Sequence, residues 1–218
     1  MMMTSQITIE VTNTSPQHVH ELEMLQRIVF PTLTDDELFT AEKYLNHLRL
    51  FAPGQFVALA TINGQQKVVG STSTYRADFD FDDYQHTFLE AIAHGWLSNH
   101  TPNGEWLYGV DISIHPDFRR KGIGSRLYNA RKALVKRLNL RGEIAGGMIP
   151  GYEHYKAQMP VEKYIEQVIA GKIMGRTLPM QLKNGFEVRG ILYDHITDPR
   201  ADNTATLLVR ENPDYRPG

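Results

Sequence analysis

The segment from residue 110 to residue 127 constrains the fold of this chain more than any other. It reads VDISIHPDFRRKGIGSRL, an alternating apolar run followed by a basic, glycine-containing turn. His115-Pro116 ends the alternation, since proline cannot donate to a strand ladder. Apolar residues then recur at helical spacing, at Leu127, Ala130, Leu134 and Leu138. The segment therefore predicts a strand, a short loop and a long helix in direct succession.

The loop between that strand and helix has the composition of a phosphate-binding site. Gly122 and Gly124 allow the backbone to approach a ligand closely. The first N–H groups of a helix have no intrahelical partner and lie at the positive end of its dipole, where anions bind. Arg119, Arg120 and Lys121 add cationic side chains. We expect phosphate oxygens to bind here.

Two common phosphate motifs do not match this loop. A nucleotide P-loop ends in Gly-Lys-Ser/Thr, whereas the order here is Lys121-Gly122, and Gly171-Lys172 is followed by Ile173. The dinucleotide-binding fingerprint requires a small residue where Leu127 stands. The ligand is therefore expected to belong to another class.

The segment resembles motif A of the GNAT acetyltransferase superfamily, whose loop reads Arg/Gln-x-x-Gly-x-Gly/Ala. Arg119, Gly122 and Gly124 occupy those places. The resemblance implies an α/β (α+β) acyl-CoA N-acyltransferase fold, a mixed and mostly antiparallel sheet flanked by helices, with acetyl-CoA as cosubstrate. It places pyrophosphate on the loop and pantetheine along the preceding strand. The implied coenzyme A contacts are Ile112, Ser113, Ile114, Arg119, Arg120, Lys121, Gly122, Ile123, Gly124 and Ser125.

Residues 147–179 form a longer link than the superfamily usually has. Ile-Pro-Gly-Tyr at 149–152 and Gln-Leu-x-Asn-Gly-Phe at 181–186 resemble a subgroup of GNAT domains found alone or fused to a carbon–nitrogen hydrolase. We expect a single domain over residues 1–218, with an insertion at about 147–179.

The resemblance implies direct attack of a neutral amine on the thioester in a ternary complex, with a backbone N–H near Ile112 polarising the carbonyl. Some members carry a catalytic glutamate early on the motif A strand, where Tyr108 stands here, and Asp111 is the one carboxylate within the strand. Many members protonate the thiolate with a tyrosine at the place of Gln181. Asp111 and Tyr152 are therefore the candidate catalytic residues. Alternatively, Asp111 is a hydrogen-bonded structural carboxylate and Tyr152 a buried ring.

The remaining pattern predicts further elements on either side of this segment. Strands are expected at 7–11, 56–62, 68–75, 106–114, 143–145, 186–192 and 204–209, and helices at 18–29, 35–50, 88–97, 124–138 and 161–170. Asn63-Gly64 predicts a hairpin turn. The strand–loop–helix–strand order from 106 to 145 predicts a parallel, right-handed crossover. The acidic run at 78–83 is either a solvated loop or a rim that attracts a cationic amine.

Composition limits the other classes of function. The 218 residues carry a formal net charge of -2, which does not indicate a nucleic-acid or membrane partner. Because the chain has no cysteine, disulfides, zinc–thiolate sites and a cysteine nucleophile are excluded. The nine histidines are scattered, so no metal is expected. No signal peptide or membrane-spanning run is evident, and we expect a cytoplasmic protein that could form a homodimer.

These features favour an N-acetyltransferase that acts on the primary amine of a small molecule. Two alternatives stay open. One is a non-catalytic acyl-CoA-binding module, which the missing tyrosine at Gln181 favours. The other is a protein lysine or N-terminal acetyltransferase, which would need a wide cleft.

Overall fold

The computed structural model describes residues 7–217, which form two sheets flanked by helices. The strands are β1 Thr8–Asn13, β2 Phe56–Ile62, β3 Gln65–Thr72, β4 Thr74–Ala77, β5 Trp106–Gly109, β6 Ser113–Ile114, β7 Gly142–Met148, β8 Glu187–Leu192 and β9 Ala205–Glu211. The helices are α1 Val19–Val29, α2 Ala41–Phe51, α3 Phe88–Ala91, α4 Ile123–Arg137, α5 Val161–Ile169 and α6 Leu178–Lys183. None of the helices in this range is long and apolar enough to cross a membrane.

The first sheet has the strand order β1-β2-β3-β6 and the second β4-β5-β7-β9-β8. All neighbouring strands are antiparallel except β5 and β7, which pair in parallel from Trp106–Gly142 to Tyr108–Ile144. Helix α4 connects these two strands. The predicted mixed sheet and its parallel crossover are therefore confirmed.

Two strands predicted to be continuous are each broken, and the two breaks lie side by side on neighbouring strands. The expected strand 68–75 divides at Ser73 into β3 and β4, and the expected strand 106–114 divides at 110–112 into β5 and β6. Ser73 accepts from the Val110 N–H at 3.0 Å and donates its own N–H to the Asp111 carboxylate at 2.7 Å. Neighbouring strands thus leave one sheet together and enter the other.

This change of sheet opens a gap beside β7. Past Ile144, β7 pairs with β9 alone, while β6 pairs with β3 in the other sheet. We call the opening between residues 110–114 and residues 145–148 the fork. Its two branches carry main-chain groups that no neighbouring strand covers on that side.

Two helices differ from their predicted limits by more than one residue. Helix α2 begins at Ala41 rather than at 35, because the Thr40 hydroxyl accepts the Lys43 N–H at 3.3 Å and caps the helix. The helix expected at 88–97 ends at Ala91, and the backbone then turns left-handed at Ala93, His94, Gly95 and Leu97. The hairpin turn is confirmed, with φ of 51° at Asn63 and 81° at Gly64.

Helix α4 packs on the first sheet through the predicted stripe. Leu127 and Leu134 are buried against Ala58 and Val69, and Ala130 and Leu138 are partly buried. A further apolar cluster joins the far side of α4 to β7, α5 and α6, and we call it the α5–α6 cluster. Its buried members are Tyr128, Ala145, Ile149, Tyr152, Val161, Tyr164, Ile165, Val168, Leu178, Phe186, Ala201 and Leu208.

Candidate active site

The loop before α4 presents unpaired N–H groups to open space. Gly122 is the N-cap with φ of 75°, and Arg120 is also left-handed with φ of 60°. The first backbone bond of α4 is donated by the Arg126 N–H to the Gly122 carbonyl at 3.2 Å, so the N–H groups of residues 123–125 have no intrahelical acceptor. A Cβ added at Gly122 would meet no atom within 4 Å. A phosphate group has both donors and room here.

Packing on the two sides holds this loop in place. The ring of Phe118 and the side chain of Ile123 are buried in the core below it. A Cβ at Gly124 would lie 3.3 Å from the Ile114 side chain and 3.3 Å from the Met180 sulfur. Gly124 is thus needed for the close packing of α4 between β6 and α6. This requirement is separate from the close approach of a ligand that the sequence predicts. The three predicted cations, Arg119, Arg120 and Lys121, are all exposed.

The fork has a bare main-chain edge on the β7 side. A side chain at Gly146 would collide with the His195 ring, and one at Gly147 would collide with Leu208 and Thr206. Glycine at both positions therefore leaves the middle of this branch without side chains, between Ala145 and Met148. The opposite branch carries Ile112, Ser113 and Ile114, the predicted pantetheine contacts. An extended ligand could lie between the branches and use their main-chain groups.

Asp111 lies at the base of the fork, held by donors from three parts of the chain. Its carboxylate accepts from the Ser73 N–H and the Gln26 side-chain amide, both at 2.7 Å, and from the Ser113 hydroxyl at 3.1 Å. Burial raises the pKa of Asp111 to about 6, although these donors and the Arg131 guanidinium oppose the rise. A carboxyl group with this pKa can exchange a proton near neutral pH.

Tyr152 lies in the α5–α6 cluster, in a different environment from Asp111. Its hydroxyl donates to the Met159 carbonyl at 3.1 Å, and its ring centroid lies 5.2 Å from that of Tyr164. Burial raises the pKa of Tyr152. Its role as a proton donor stays a prediction, because the hydroxyl would have to leave the Met159 carbonyl to serve a thiolate.

Two further polar residues lie in or beside the α5–α6 cluster, Gln181, which the sequence analysis singled out, and Tyr128, which it missed. Gln181 occupies the place predicted for a catalytic tyrosine, and its side-chain amide opposes the rise that burial causes in the pKa of Tyr128. Within residues 7–217 the buried Gln181 Oε1 has no hydrogen-bond partner. The one feature of the sequence that could have indicated a position near the site for Tyr128 is its spacing of one helical turn after Gly124.

A buried ionic cluster lies below the fork. Glu143 on β7 forms ion pairs with Arg131 of α4 and Arg210 of β9, and all three side chains are at least nine-tenths buried. A Cβ at Gly109 would collide with the Arg131 guanidinium, so this cation lies directly against the end of β5. Burial lowers the pKa of each arginine to about 10. Both guanidinium groups remain charged at neutral pH.

An acidic cavity of about 380 Å³ opens beside β4 and β5. Tyr75 and Tyr108 line it with rings stacked at 5.2 Å, and four carboxylates surround it, those of Asp78, Asp80, Asp83 and Glu90. His86 Nδ1 lies 2.8 Å from the Tyr84 carbonyl and must donate to it, so His86 Nε2 accepts from the Tyr108 hydroxyl at 2.6 Å. The aspartates of the acidic run 78–83 are exposed to solvent, and Asp78, Asp80 and Asp83 border this cavity, so both interpretations of the run stay open.

The loop, the fork and the sheet order together define an acyl-CoA-dependent transferase fold. Residues 18–145 match the sequence model of the Acetyltransferase (GNAT) family, so the chain belongs to this family. The resemblance inferred from the motif is confirmed. Membership places the chain among acyltransferases by family.

Two relatives from Bacillus subtilis (strain 168) align with 95% of the chain. One is "Probable hydrolase YhcX", 36% identical over 208 residues, and the chain spans 39% of its length. The other is "Uncharacterized N-acetyltransferase YkwB", 30% identical over 209 residues, of which 91% is covered. The name and greater length of YhcX are consistent with the predicted subgroup that is fused to a hydrolase.

Solved structures share the fold at low sequence identity. A GphF GNAT-like decarboxylase in complex with isobutyryl-CoA has a TM-score of 0.77 at 17% identity, covering 93% of this chain and 99% of that one. The loading GNATL domain of CurA from Lyngbya majuscula has a TM-score of 0.78 at 17% identity, covering 94% and 98%. A structure described as "a putative phosphinothricin N-acetyltransferase" has a TM-score of 0.53 at 16% identity, covering 94% and 99%.

Proposed function

We propose that this chain transfers the acetyl group of acetyl-CoA to a primary amine of a small molecule, by direct attack in a ternary complex. The observation that carries the proposal is the fork, because it joins three requirements of the reaction. It begins beside the phosphate-binding loop, it offers free main-chain groups, and Asp111 lies at its base.

The residues of the chain have separate roles in this reaction. The N–H groups of residues 123–125 and the side chain of Arg119 bind the diphosphate. A backbone N–H near Ile112 stabilises the negative charge that develops on the thioester oxygen. The amine nitrogen forms a bond to the carbonyl carbon and loses a proton to the Asp111 carboxylate, and the C–S bond then breaks. No covalent intermediate with the protein is required.

The acidic cavity supports a cationic acceptor. Four carboxylates around one opening attract an amine that carries a second positive charge, and the stacked rings of Tyr75 and Tyr108 offer an apolar floor. A volume of about 380 Å³ suits a small molecule rather than a folded protein.

The test is a thiol-release assay with acetyl-CoA and a panel of acceptors. Because the chain has no cysteine, a thiol reagent reports only the released coenzyme A. The panel holds a linear diamine, a monoamine of equal length, and peptides with a free N-terminus or lysine. We expect the diamine to give the highest kcat/KM. A preference for peptides would contradict the small-molecule acceptor, and coenzyme A binding without turnover of any amine would indicate a binding module.

A second candidate is decarboxylation of a carboxyacyl-CoA. The two structures with TM-scores of 0.77 and 0.78 are a GNAT-like decarboxylase and a loading domain, whereas the phosphinothricin N-acetyltransferase reaches 0.53. This reaction releases carbon dioxide from malonyl-CoA without an amine and leaves the thioester intact. Measuring carbon dioxide and free thiol in parallel separates the two activities.

A further inference from the structure

The Tyr108 hydroxyl is a polar group of the acidic cavity, and its proton has a fixed partner. Tyr108 and His86 both line the cavity. Because the Tyr84 carbonyl can only accept, the His86 Nδ1 atom at 2.8 Å carries the proton of the neutral ring. His86 Nε2 is then an acceptor, and Tyr108 donates its proton to it at 2.6 Å. Burial lowers the pKa of His86, so the ring is neutral at pH 7.

This arrangement leaves only lone pairs on the Tyr108 oxygen for a ligand. A phenol oxygen has one proton and two lone pairs, and no group within residues 7–217 donates a hydrogen bond to this one. Tyr75, the other ring of the stack, differs because its oxygen already accepts from the Asn99 amide at 3.2 Å. The Tyr108 oxygen therefore favours a ligand that brings an N–H donor and disfavours one that brings only acceptors.

The carboxylates around the cavity do not provide this selection by themselves. All four are exposed, and exposed charges attract any cation through a solvent-screened field. Tyr108, in contrast, is 4% exposed, so a hydrogen bond to its oxygen is shielded from water and depends on direction. Negative charge at the rim and one directed acceptor inside together fit a primary ammonium group.

A series of contacts connects this acceptor to the fork. The His86 carbonyl accepts from His195 Nδ1 at 2.8 Å. The Nε2 edge of the His195 ring faces Gly146, and its Cε1 and Cδ2 atoms lie 3.0 and 3.1 Å from the position of a Cβ there. Tyr108 itself pairs with Ile144, where the pairing of β5 with β7 ends. The cavity thus adjoins the fork, as a subsite for the far end of an acceptor must.

We propose that the acidic cavity binds a distal primary ammonium group of the acceptor, that the Tyr108 oxygen accepts a hydrogen bond from it, and that His86 is a positioning residue that keeps the Tyr108 proton out of the cavity. This assignment rests on the proposed acetyl transfer. It defines the acceptor class as compounds with two primary amines, one that reacts at the fork and one that stays in the cavity. A quaternary ammonium group has the same charge but no N–H, so it cannot make this contact.

The experiment uses two ligands that differ only in N–H groups. One is a linear diamine acetylated on one nitrogen, and the other is the same compound with its free nitrogen trimethylated. Each carries a single positive charge, so only that end can occupy the cavity. Binding is measured by calorimetry on protein saturated with coenzyme A. We expect the wild type to bind the ammonium ligand at least about tenfold more tightly than the trimethylated one.

Variants of the two stacked rings locate the contact. In Tyr108→Phe, which keeps the ring, the two affinities should agree within about twofold, because the acceptor oxygen is gone. Tyr75→Phe removes the other hydroxyl of the stack and should keep the wild-type preference. An unchanged preference in Tyr108→Phe would overturn the assignment, because size alone would then exclude the trimethyl group.

Two variants of His86 test its positioning role. His86→Leu removes the acceptor of the Tyr108 proton, which can then turn toward the cavity, so the preference for the ammonium ligand should fall. His86→Gln retains a carbonyl that can accept from Tyr108 and should keep most of the preference. If both variants weaken the two ligands equally and leave the preference intact, His86 has only a structural role.

The outcomes separate this subsite from the proposed function. Wild-type protein that binds neither ligand, or binds both equally, would overturn the subsite even if the diamine is acetylated. Wild-type protein that prefers the ammonium ligand but releases no thiol from acetyl-CoA in the presence of the diamine would contradict the acetyl transfer and leave the subsite in place.

Discussion

The Asp111 carboxylate is a titratable group, and it also links three parts of the chain through hydrogen bonds, which we call the clamp. Its three donors come from α1, from the break at Ser73 and from β6, so the carboxylate ties together the parts that form the fork. The same burial that makes this clamp effective raises the pKa to about 6. Asp111 is thus expected both to hold the fork together and to accept a proton, and these two roles can be measured separately.

In the wild type, kcat/KM should rise with pH through about 6 as Asp111 ionises. Asp111→Asn should lower kcat/KM by about 10²-fold and remove that limb of the profile. Asp117→Asn, which changes an exposed carboxylate six residues on, is the control. If Asp111→Asn stays folded and keeps wild-type turnover, the carboxylate serves only as the clamp.

The pH dependence of the free energy of unfolding gives an independent test of the pKa of Asp111. Because the folded pKa of Asp111 lies above its ordinary value of 3.8, the folded state binds this proton more tightly than the unfolded chain does. The contribution of Asp111 to stability is therefore greatest below pH 3.8 and is lost as pH rises through about 6. Urea unfolding between pH 4 and pH 7 should show a smaller decline in Asp111→Asn than in the wild type.

The loop before α4 is tested by a charge at Ser125. This side chain is exposed, so Ser125→Glu should not disturb packing, but it places a carboxylate beside the free N–H groups that would bind phosphate. Affinity for coenzyme A should fall by more than about tenfold. Asn129→Glu adds the same charge at an exposed position one turn further on. Equal effects of both substitutions would mean that phosphate binds elsewhere.

At the scale of elements, the buried ionic cluster fastens α4 to β7 and β9. Glu143→Gln would leave Arg131 and Arg210 buried without a counter-charge, which costs about 3–5 kcal/mol of unfolding free energy. Glu105→Gln is the matched control, because Glu105 pairs with Arg141 at 2.9 Å where both side chains are half-exposed. That change should cost less than about 1 kcal/mol by urea denaturation. Similar losses would show that Glu143 is hydrated in solution.

The acidic run forms a second testable element. Asp80→Asn with Asp83→Asn removes two exposed carboxylates from the cavity rim. We expect KM for a diamine to rise several-fold at low salt, with kcat and the melting temperature unchanged. Glu10→Gln with Glu42→Gln, which removes two exposed carboxylates on β1 and α2, controls for net charge. An unchanged KM in the double variant would exclude this cavity as the acceptor site.

The sequence pattern correctly predicted those elements whose conformation is determined by residues close in sequence. The hairpin turn at Asn63-Gly64, helix α4 and its stripe, and the glycine loop before α4 each depend on neighbours in sequence. The strand breaks at Ser73 and at 110–112 do not. Alternation continues through both, and the break arises because each strand changes its partner in the sheet. The same limit hid Tyr128 and the Arg131–Glu143–Arg210 cluster, whose contacts join α4 to distant strands.

At the scale of the whole molecule, the fork makes the two sheets incomplete in the same place. Alternate amides of residues 145–148 point away from β9, and within residues 7–217 no strand pairs with the fork side of residues 111–112. Such amides exchange with solvent deuterium at rates set by water contact rather than by unfolding. Acetyl-CoA lying along the branches would act as a short additional strand.

Hydrogen–deuterium exchange can therefore follow the cofactor along its length. Acetyl-CoA should slow exchange at residues 111–112, at residues 145–148 and in the first turn of α4, whereas the Val110 amide, which already donates to the Ser73 carbonyl, should change little. ADP, which has a diphosphate but no pantetheine, should protect the first turn of α4 alone, and the β1–β2 pair should be unaffected by either. Protection of both regions by ADP would mean that the fork closes on its own, and that the sheet is completed by protein rather than by ligand.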